Sequence, residues 1–237
     1  MNRYSPTKLL IPQIILAVVV CILAAFLFLQ PIFSNISNWG LYDWDQHLFY
    51  HGSARISLLS FNEFPLWTPY YCGGNLLLAN PQSPFLSPFF LLVLLFGAVA
   101  GLKLEALAYL AVGLLGTFLV ARKLGCSRPA SIFAAAVFML GSWFAARVLV
   151  GHTTFFPFAL LPLVFLFYIN SVSSAVSATT AASLTRRIRW VVAAAVVLAI
   201  MFLSGGIYPF YAAVLLLVSY SLLDSVSMKK MGPVADV

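Results

Sequence analysis

Residues 104–121 read LEALAYLAVGLLGTFLVA and contain a single charged side chain, Glu105. This run approaches the roughly 20 apolar residues that a helix needs to cross a bilayer. Hydrophobic residues make up 62% of the chain and charged residues only 8%, with a mean hydropathy of +1.01. A soluble domain cannot cover so much apolar surface, and runs this long are not barrel strands. The sequence therefore predicts an all-α integral membrane protein.

Seven apolar runs are candidates for crossing the membrane, namely 9–30, 85–101, 104–121, 130–150, 154–172, 190–204 and 207–223. The positive-inside rule chooses among the arrangements. With a cytoplasmic N-terminus and no crossing at 85–101, ten of the 13 Lys and Arg residues lie inside; a crossing there leaves four inside. We therefore predict a bundle of six spans with 85–101 as a re-entrant or interfacial helix. An ordinary seventh crossing is the alternative.

The predicted organisation is one transmembrane domain over residues 1–237. It has a cytoplasmic tail (1–8), a first span (9–30), a long external loop (31–103), five further spans (104–223) and a second cytoplasmic tail (224–237). The first run lacks a good cleavage site, so we interpret it as a retained anchor helix. The net charge of +7 comes from scattered basic residues, which mark topology and do not indicate nucleic-acid binding.

The external loop is predicted to contain an amphipathic helix at 43–60 that lies on the membrane surface. Its polar face carries side chains spaced by four residues, Asp43, His47, His51 and Arg55. The remaining surface is apolar, with Trp44, Leu48, Phe49, Ile56 and Leu59.

Three simpler interpretations compete with a catalytic one in this helix. Asp43 could cap the helix, and capping does not exclude catalysis. Two histidines and a carboxylate could bind a metal, although a solvated helix face is the favoured interpretation of the stripe. The aromatic residues Trp39, Trp44 and Trp67 are expected to anchor the loop at the membrane interface.

Neutral and basic groups elsewhere suit a phosphorylated sugar ligand. Prolines and glycines between Asn62 and Asn75 favour turns. Groups that hydrogen-bond sugars follow there, at Tyr70, Asn75, Asn80 and Gln82. An arginine inside an apolar helix costs about 2.5–3.5 kcal/mol, so Arg147 is a candidate to hold a phosphate. His152 is either a ligand-binding residue or a loop histidine bonded to the backbone.

Several short motifs share one order along the chain. These are DWD at 43–45, FPLWTPY at 64–70, GGN at 73–75, ANPQSP at 79–84, GH at 151–152 and LSGGIYPFY at 203–211. The pattern covers about residues 9–223. It resembles the YfhO-like bacterial membrane proteins, which are similar to the GT-C glycosyltransferase superfamily.

This resemblance implies a transferase that uses a polyprenyl-phosphate-linked sugar in the cell envelope. The catalytic aspartate of the first external loop maps to Asp43 or Asp45, which could also hold a divalent cation (Mg or Mn). The candidate substrate-binding residues are His47, His51, Arg55, Glu63, Trp67, Tyr70, Asn75, Asn80, Gln82, Arg147, His152 and Tyr208. The family usually carries many more helices. This chain resembles the N-terminal half only, and we expect a truncated product, a minimal module, or a subunit whose partner supplies the missing helices.

Two hypotheses of function follow. In the first, an aspartate takes a proton from an acceptor hydroxyl that attacks the anomeric carbon, and a lipid phosphate leaves toward Arg147, Arg55, Lys103 or His152. In the second, the chain is a scaffold subunit or a lipid-linked glycan transporter of an envelope complex. Ion-coupled transport is disfavoured because the middles of the predicted spans lack ionisable residues.

Overall fold

A computed structural model describes residues 11–176 and 181–230. The predicted tail 1–8, and 231–237 of the second predicted tail, lie outside these residues. Helices account for almost all of the regular structure, so the all-α prediction is confirmed. The only strands in the described part of the chain form one two-stranded antiparallel ribbon.

The elements follow one another with mostly short connections. In chain order they are α1 (Ile11–Phe28), α2 (Gln30–Phe33), α3 (Trp44–Ser60), β1 (Trp67–Thr68), β2 (Asn75–Leu76), α4 (Phe90–Phe96), α5 (Ala98–Lys123), α6 (Arg128–Met139), α7 (Ser142–Val150), a 3-10 helix (Thr153–Leu160), α8 (Leu161–Val176), α9 (Ala181–Leu203) and α10 (Ile207–Lys230).

Four segments of the described chain are long and apolar enough to cross a membrane. They are Ala98–Lys123, Arg128–Val150, Thr153–Ser173 and Ile207–Asp224. The apolar part of α1, Pro12–Phe28, is shorter. These segments indicate an integral membrane protein.

The structure divides the predicted helix at 85–101. The short helix α4 ends at Phe96, and Gly97 adopts a φ of +85°, a conformation that a side chain disfavours. The next helix, α5, begins at Ala98, so Lys103 and Glu105 lie inside a helix and not at the end of a loop. The chain reverses at Gly97, and α4 packs back against α5.

The helix α5 is the centre of the bundle. It packs against α1, α3, α4, α6, the 3-10 helix and α8. Its buried residues Leu102, Ala106 and Leu110 belong to the main hydrophobic core. Burial of this apolar surface against neighbours on several sides fixes the arrangement of the other helices around α5.

Successive long helices run up and down, which separates the polar residues between two ends of the bundle. At one end, here called the Asp43 end, the start of α3 meets the end of α7, and Ser204 donates a hydrogen bond to Ser87 over 2.8 Å. The other end, here called the arginine end, carries Arg122, Arg128 and Arg186, where α5 stops and where α6 and α9 begin.

Candidate active site at the Asp43 end

The backbone around Asp43 is fastened to the last turn of α7. The Asp43 amide donates to the Val150 carbonyl over 3.0 Å, and the Trp44 indole Nε1 donates to the Val148 carbonyl over 2.8 Å. Trp44 is buried, so the prediction that it anchors the loop at the membrane interface was wrong. Its ring and its N–H are used instead to join α3 to α7.

A glycine makes this junction close. Gly151 has a φ of +77°, and a Cβ atom built on it would lie 2.4 Å from the Trp44 nitrogen. Any other residue would push the start of α3 away from the bundle. The adjacent His152 is therefore held next to Asp43 by backbone geometry.

Three side chains from two distant parts of the sequence form a hydrogen-bonded chain. His152 Nε2 lies 2.8 Å from Asp43 Oδ2, and Arg147 Nη1 lies 2.9 Å from His152 Nδ1. The side chains of Asp43 and His152 remain 47% and 32% exposed. Asp43 occupies the N-cap position of α3, but its side chain makes no capping hydrogen bond. The carboxylate is thus committed to His152 and not to the helix.

The contacts fix the proton on the His152 ring. A guanidinium can only donate, so Nδ1 must accept from Arg147. The ring proton then sits on Nε2 and is donated to Asp43. A neutral imidazole therefore lies between a cation and a carboxylate. Protonation of His152 at Nδ1 would break the bond to Arg147.

Aromatic rings surround the guanidinium of Arg147. Its Cζ lies 4.5 Å from the centre of the Phe155 ring and 5.6 Å from that of Trp143. Phe155 in turn stacks on Tyr208 with 5.3 Å between ring centroids. Trp143 and Tyr208 are exposed, and Arg147 Nε has no hydrogen-bond partner among the described residues. The site thus has an accessible aromatic rim beside a cation whose unpartnered Nε is buried.

Both histidines of α3 point inward. His47 and His51 are 2% and 0% exposed, so the favoured prediction of a solvated helix face was wrong. Spacing correctly placed Asp43, His47, His51 and Arg55 on one side of the helix, but that side packs toward α4 and α5. Arg55 Nε donates to the Val93 carbonyl of α4 over 3.1 Å.

One proton is shared by a buried pair beneath the site. His51 Nδ1 lies 2.6 Å from the His47 carbonyl oxygen, and because a carbonyl only accepts, Nδ1 must donate. His51 Nε2 lies 3.4 Å from Glu105 Oε2. A hydrogen bond there requires a single proton, either on the imidazole or on the carboxyl group. The pair is neutral overall in both forms, which lowers its burial cost.

His47 stays neutral near neutral pH. Burial, together with the neighbouring His51 and His152 rings, lowers the pKa of its imidazole to about 3. Its Nδ1 atom has no hydrogen-bond partner among the described residues. Among the described residues, no three His, Cys, Asp or Glu side chains lie close enough together to hold a metal ion. The predicted alternative of a metal site at Asp43, His47 and His51 is therefore not formed.

Asp45 differs from Asp43 in its surroundings. It is exposed, and its Oδ1 accepts a hydrogen bond from the backbone N–H of the adjacent Gln46 over 2.7 Å. Neither His152 nor Arg147 contacts it. Of the two predicted catalytic aspartates, only Asp43 is joined to side chains from another helix.

The predicted sugar-binding residues divide into two groups. The Gln82 side chain contacts α3 through Gln46, whose Nε2 lies 3.4 Å from Gln82 Oε1. Asn80 Oδ1 accepts a hydrogen bond from the backbone N–H of Gln82. Asn75 pairs with Thr68 in the ribbon. Among the described residues, no hydrogen bond or ion pair joins the exposed members, Glu63, Trp67 and Tyr70, to Asp43, His152 or Arg147. The structure thus brings Arg147, His152 and, through Phe155, Tyr208 to Asp43.

Lys103 has a structural role that sequence reasoning missed. Its buried Nζ donates to the carbonyls of Asn35 and Ile36 over 2.8 and 2.9 Å. It therefore fastens the segment after α2 to the start of α5. A lysine at the edge of an apolar run is compatible with an interfacial position, so the sequence held no indication of this contact.

No protein-family model matches this chain, and neither the curated proteins nor the solved structures contain a significant match.

Proposed function

We propose that the protein is a membrane glycosyltransferase in which Asp43 is the catalytic base. The observation that carries the proposal is the accessible Asp43 carboxylate, which is fixed through Oδ2 to His152 and, behind it, to Arg147. Its second oxygen, Oδ1, is available to an acceptor. The resemblance to GT-C enzymes supplies the substrate class, a sugar linked to a polyprenyl phosphate.

The reaction would be a single displacement. An acceptor hydroxyl gives its proton to Asp43 Oδ1 as its oxygen forms a bond to the anomeric carbon. The bond from that carbon to the lipid phosphate breaks, and its electron pair leaves with the phosphate. Attack opposite the leaving group inverts the anomeric centre.

Arg147 is the cation best placed to meet the leaving phosphate. Arg55 and Lys103 are already bonded to backbone carbonyls, whereas Arg147 is half-buried, lies one imidazole away from Asp43, and has a guanidinium that donates to no group but His152 among the described residues. A preorganised cation in a low-dielectric site stabilises negative charge that develops on a leaving group. His152 holds Asp43 and Arg147 at a fixed separation.

The aromatic rim supports a sugar as the ligand. Trp143 and Tyr208 are both exposed and flank Phe155, which lies against Arg147. Pockets for small polar ligands commonly combine aromatic walls with a few fixed polar groups. Here the polar groups are Asp43, His152 and Arg147.

The same proposal includes six spans, with α1 and α9 added to the four long apolar segments. The Asp43 end would face the exterior of a bacterial inner membrane, because Arg122, Arg128 and Arg186 gather at the opposite end. Two exposed native cysteines test this arrangement. A membrane-impermeant maleimide applied to intact cells should label Cys72, near the Asp43 end, and leave Cys126, at the arginine end, unlabelled until the membrane is permeabilised.

Two matched substitutions test the chemistry. Asp43→Asn and Asp45→Asn each replace a carboxylate with an amide, at positions two residues apart. Only the first removes the carboxylate that is hydrogen-bonded to His152. Transfer of a radiolabelled sugar from polyprenyl phosphate should be measured in membranes, so that any partner subunit is retained.

We expect Asp43→Asn to reduce transfer by about 100-fold or more, the usual range for losing a general base, and Asp45→Asn to leave it within a few-fold of the unmodified protein. Full transfer by a folded Asp43→Asn protein would refute the mechanism. It would favour the non-catalytic scaffold role.

A further inference from the structure

An apolar groove runs along the bundle surface near the arginine end. It encloses about 310 Å³ between α1 and α6, with α5 as its floor. The walls are almost entirely carbon, and the two polar side chains at the end where both α1 and α6 begin are Gln13 and Arg128. This groove contains none of the residues of the Asp43 site.

The length of the groove matches one leaflet of a bilayer. Its lining on α1 extends from Gln13 to Ala24, which corresponds to about 16 Å at the 1.5 Å rise of an α-helix. The hydrocarbon core of a bilayer is about 30 Å thick, so each leaflet contributes about 15 Å. One acyl chain that enters from the arginine end would therefore fill the groove to about the bilayer midplane.

The charge at the mouth decides which headgroup the groove favours. Arg128 is exposed at the first turn of α6 and lines the groove together with Gln13, at the end where the phosphate of a lipid in that leaflet would lie. Small side chains inside, Ala17, Cys21 and Ala24, leave room for the chain. The geometry points to a binding site for one anionic phospholipid, with its chain between α1 and α6 and its phosphate on Arg128.

This site is independent of the proposed glycosyl transfer, and its place in one leaflet rests on the proposed crossing of the membrane by α1. The bound lipid fills a gap between helices that pack on α5 but leave space between each other. It acts as a structural ligand that holds α1 against the bundle, because an empty groove would forfeit contacts on all of its walls. The charge of the bound lipid, and not the sugar substrate, would then determine how firmly α1 packs against the bundle.

Native mass spectrometry of the full chain in detergent, with phosphatidylglycerol or phosphatidylcholine added, tests the assignment. We expect one phosphatidylglycerol to bind about fivefold more tightly than phosphatidylcholine, since one arginine near a lipid surface contributes about 1 kcal/mol. Arg128→Gln should abolish this preference, and Arg186→Gln at the same end of the bundle should retain it.

A steric pair tests the position of the chain. Ala136→Trp fills the groove from α6 and should abolish binding of both lipids, whereas Val137→Trp, on the exposed face one residue away, should not. If Ala136→Trp does not fold, alkylation of Cys21 replaces it. Phosphatidylglycerol should slow N-ethylmaleimide modification of Cys21 and leave that of exposed Cys72 unchanged.

Three results would overturn the inference. The first is a preference for phosphatidylglycerol that Arg128→Gln leaves unchanged. The second is an unchanged rate of Cys21 modification in the presence of phosphatidylglycerol. The third is that a polyprenyl phosphate displaces phosphatidylglycerol and phosphatidylcholine equally well. The last result would assign the groove to the lipid chain of a sugar donor.

Discussion

Acid should destabilise this protein through His47 in particular. The imidazole is neutral in the folded state, because burial and two neighbouring histidines lower its pKa to about 3, while in the unfolded chain its pKa is about 6.5. The unfolded state therefore binds the proton first as the pH falls. The contribution of His47 to stability is complete above pH 6.5 and is lost progressively between pH 6.5 and pH 3.

The size of the effect follows from the two pKa values. Each pH unit between them costs about 1.4 kcal/mol, so moving from pH 7.5 to pH 5 should reduce the free energy of unfolding by about 2 kcal/mol through this residue alone. For a chain of 237 residues, that corresponds to a fall in Tm of roughly 4–8 °C.

The assay compares thermal unfolding at pH 7.5 and pH 5 in detergent, followed by circular dichroism. His47→Gln removes the titrating group, so its Tm should fall by roughly 4–8 °C less than that of the unmodified protein. Every other ionisable group is present in both proteins, so the comparison isolates His47 together with its electrostatic coupling to the neighbouring histidines.

A second variant controls for the loss of an imidazole as such. Adding Gln46→His to the His47→Gln protein moves the imidazole to an exposed neighbouring position, where it should not restore the acid sensitivity. Equal falls in Tm for the unmodified protein and His47→Gln would refute the reasoning, because they would mean that His47 is solvated or already charged at neutral pH.

Three further predictions concern the contacts that build the site. Gly151→Ala should cost about 2–4 kcal/mol of stability, from backbone strain and the clash with Trp44. Gly73 has a φ of +79° with open space around it, so Gly73→Ala should cost only about 1 kcal/mol. Chemical denaturation in mixed micelles measures both free energies of unfolding. Arg147→Met should lower kcat/KM for the proposed sugar transfer by at least tenfold, because His152 loses the donor that fixes its ring proton. Arg186→Met at the arginine end should not lower it, and the test compares kcat/KM of the two variants. Lys103→Met should increase hydrogen exchange in residues 35–38 while Tm changes little, because two hydrogen bonds to an exposed segment are lost locally; protection that matches the unmodified protein would contradict the assigned role of Lys103.

The sequence located most of the helices of the protein. Long apolar runs are recognisable without any tertiary contact, so the membrane class and the segments around α5, α8 and α10 were predictable. The helix α3 also lies within its predicted range of 43–60. The break at Gly97 was harder to predict, because an apolar run on both sides of one glycine is compatible with one helix or with two.

The side of α3 that is buried was not predictable. A step of four residues shows that Asp43, His47 and His51 share a face, but spacing carries no information about what covers that face. The structure places Glu105 of α5 opposite His51, and this partner lies 54 residues away in the chain. Polar residues that would be solvated on an isolated surface helix are therefore buried together.

The amino-acid sequence alone determined that this chain is helical and apolar. It also showed that Asp43 lies in the loop after the first apolar run, Arg147 near the end of an apolar run, and His152 between two such runs. Only the tertiary structure decided that His152 bonds to Asp43 and not to Asp45, and that Arg55 and Lys103 bind backbone carbonyls. The physical reason is that hydropathy and periodicity are properties of neighbouring residues. A hydrogen bond between residues more than 100 positions apart depends on how closely two helices pack, which here is set by Gly151 against Trp44.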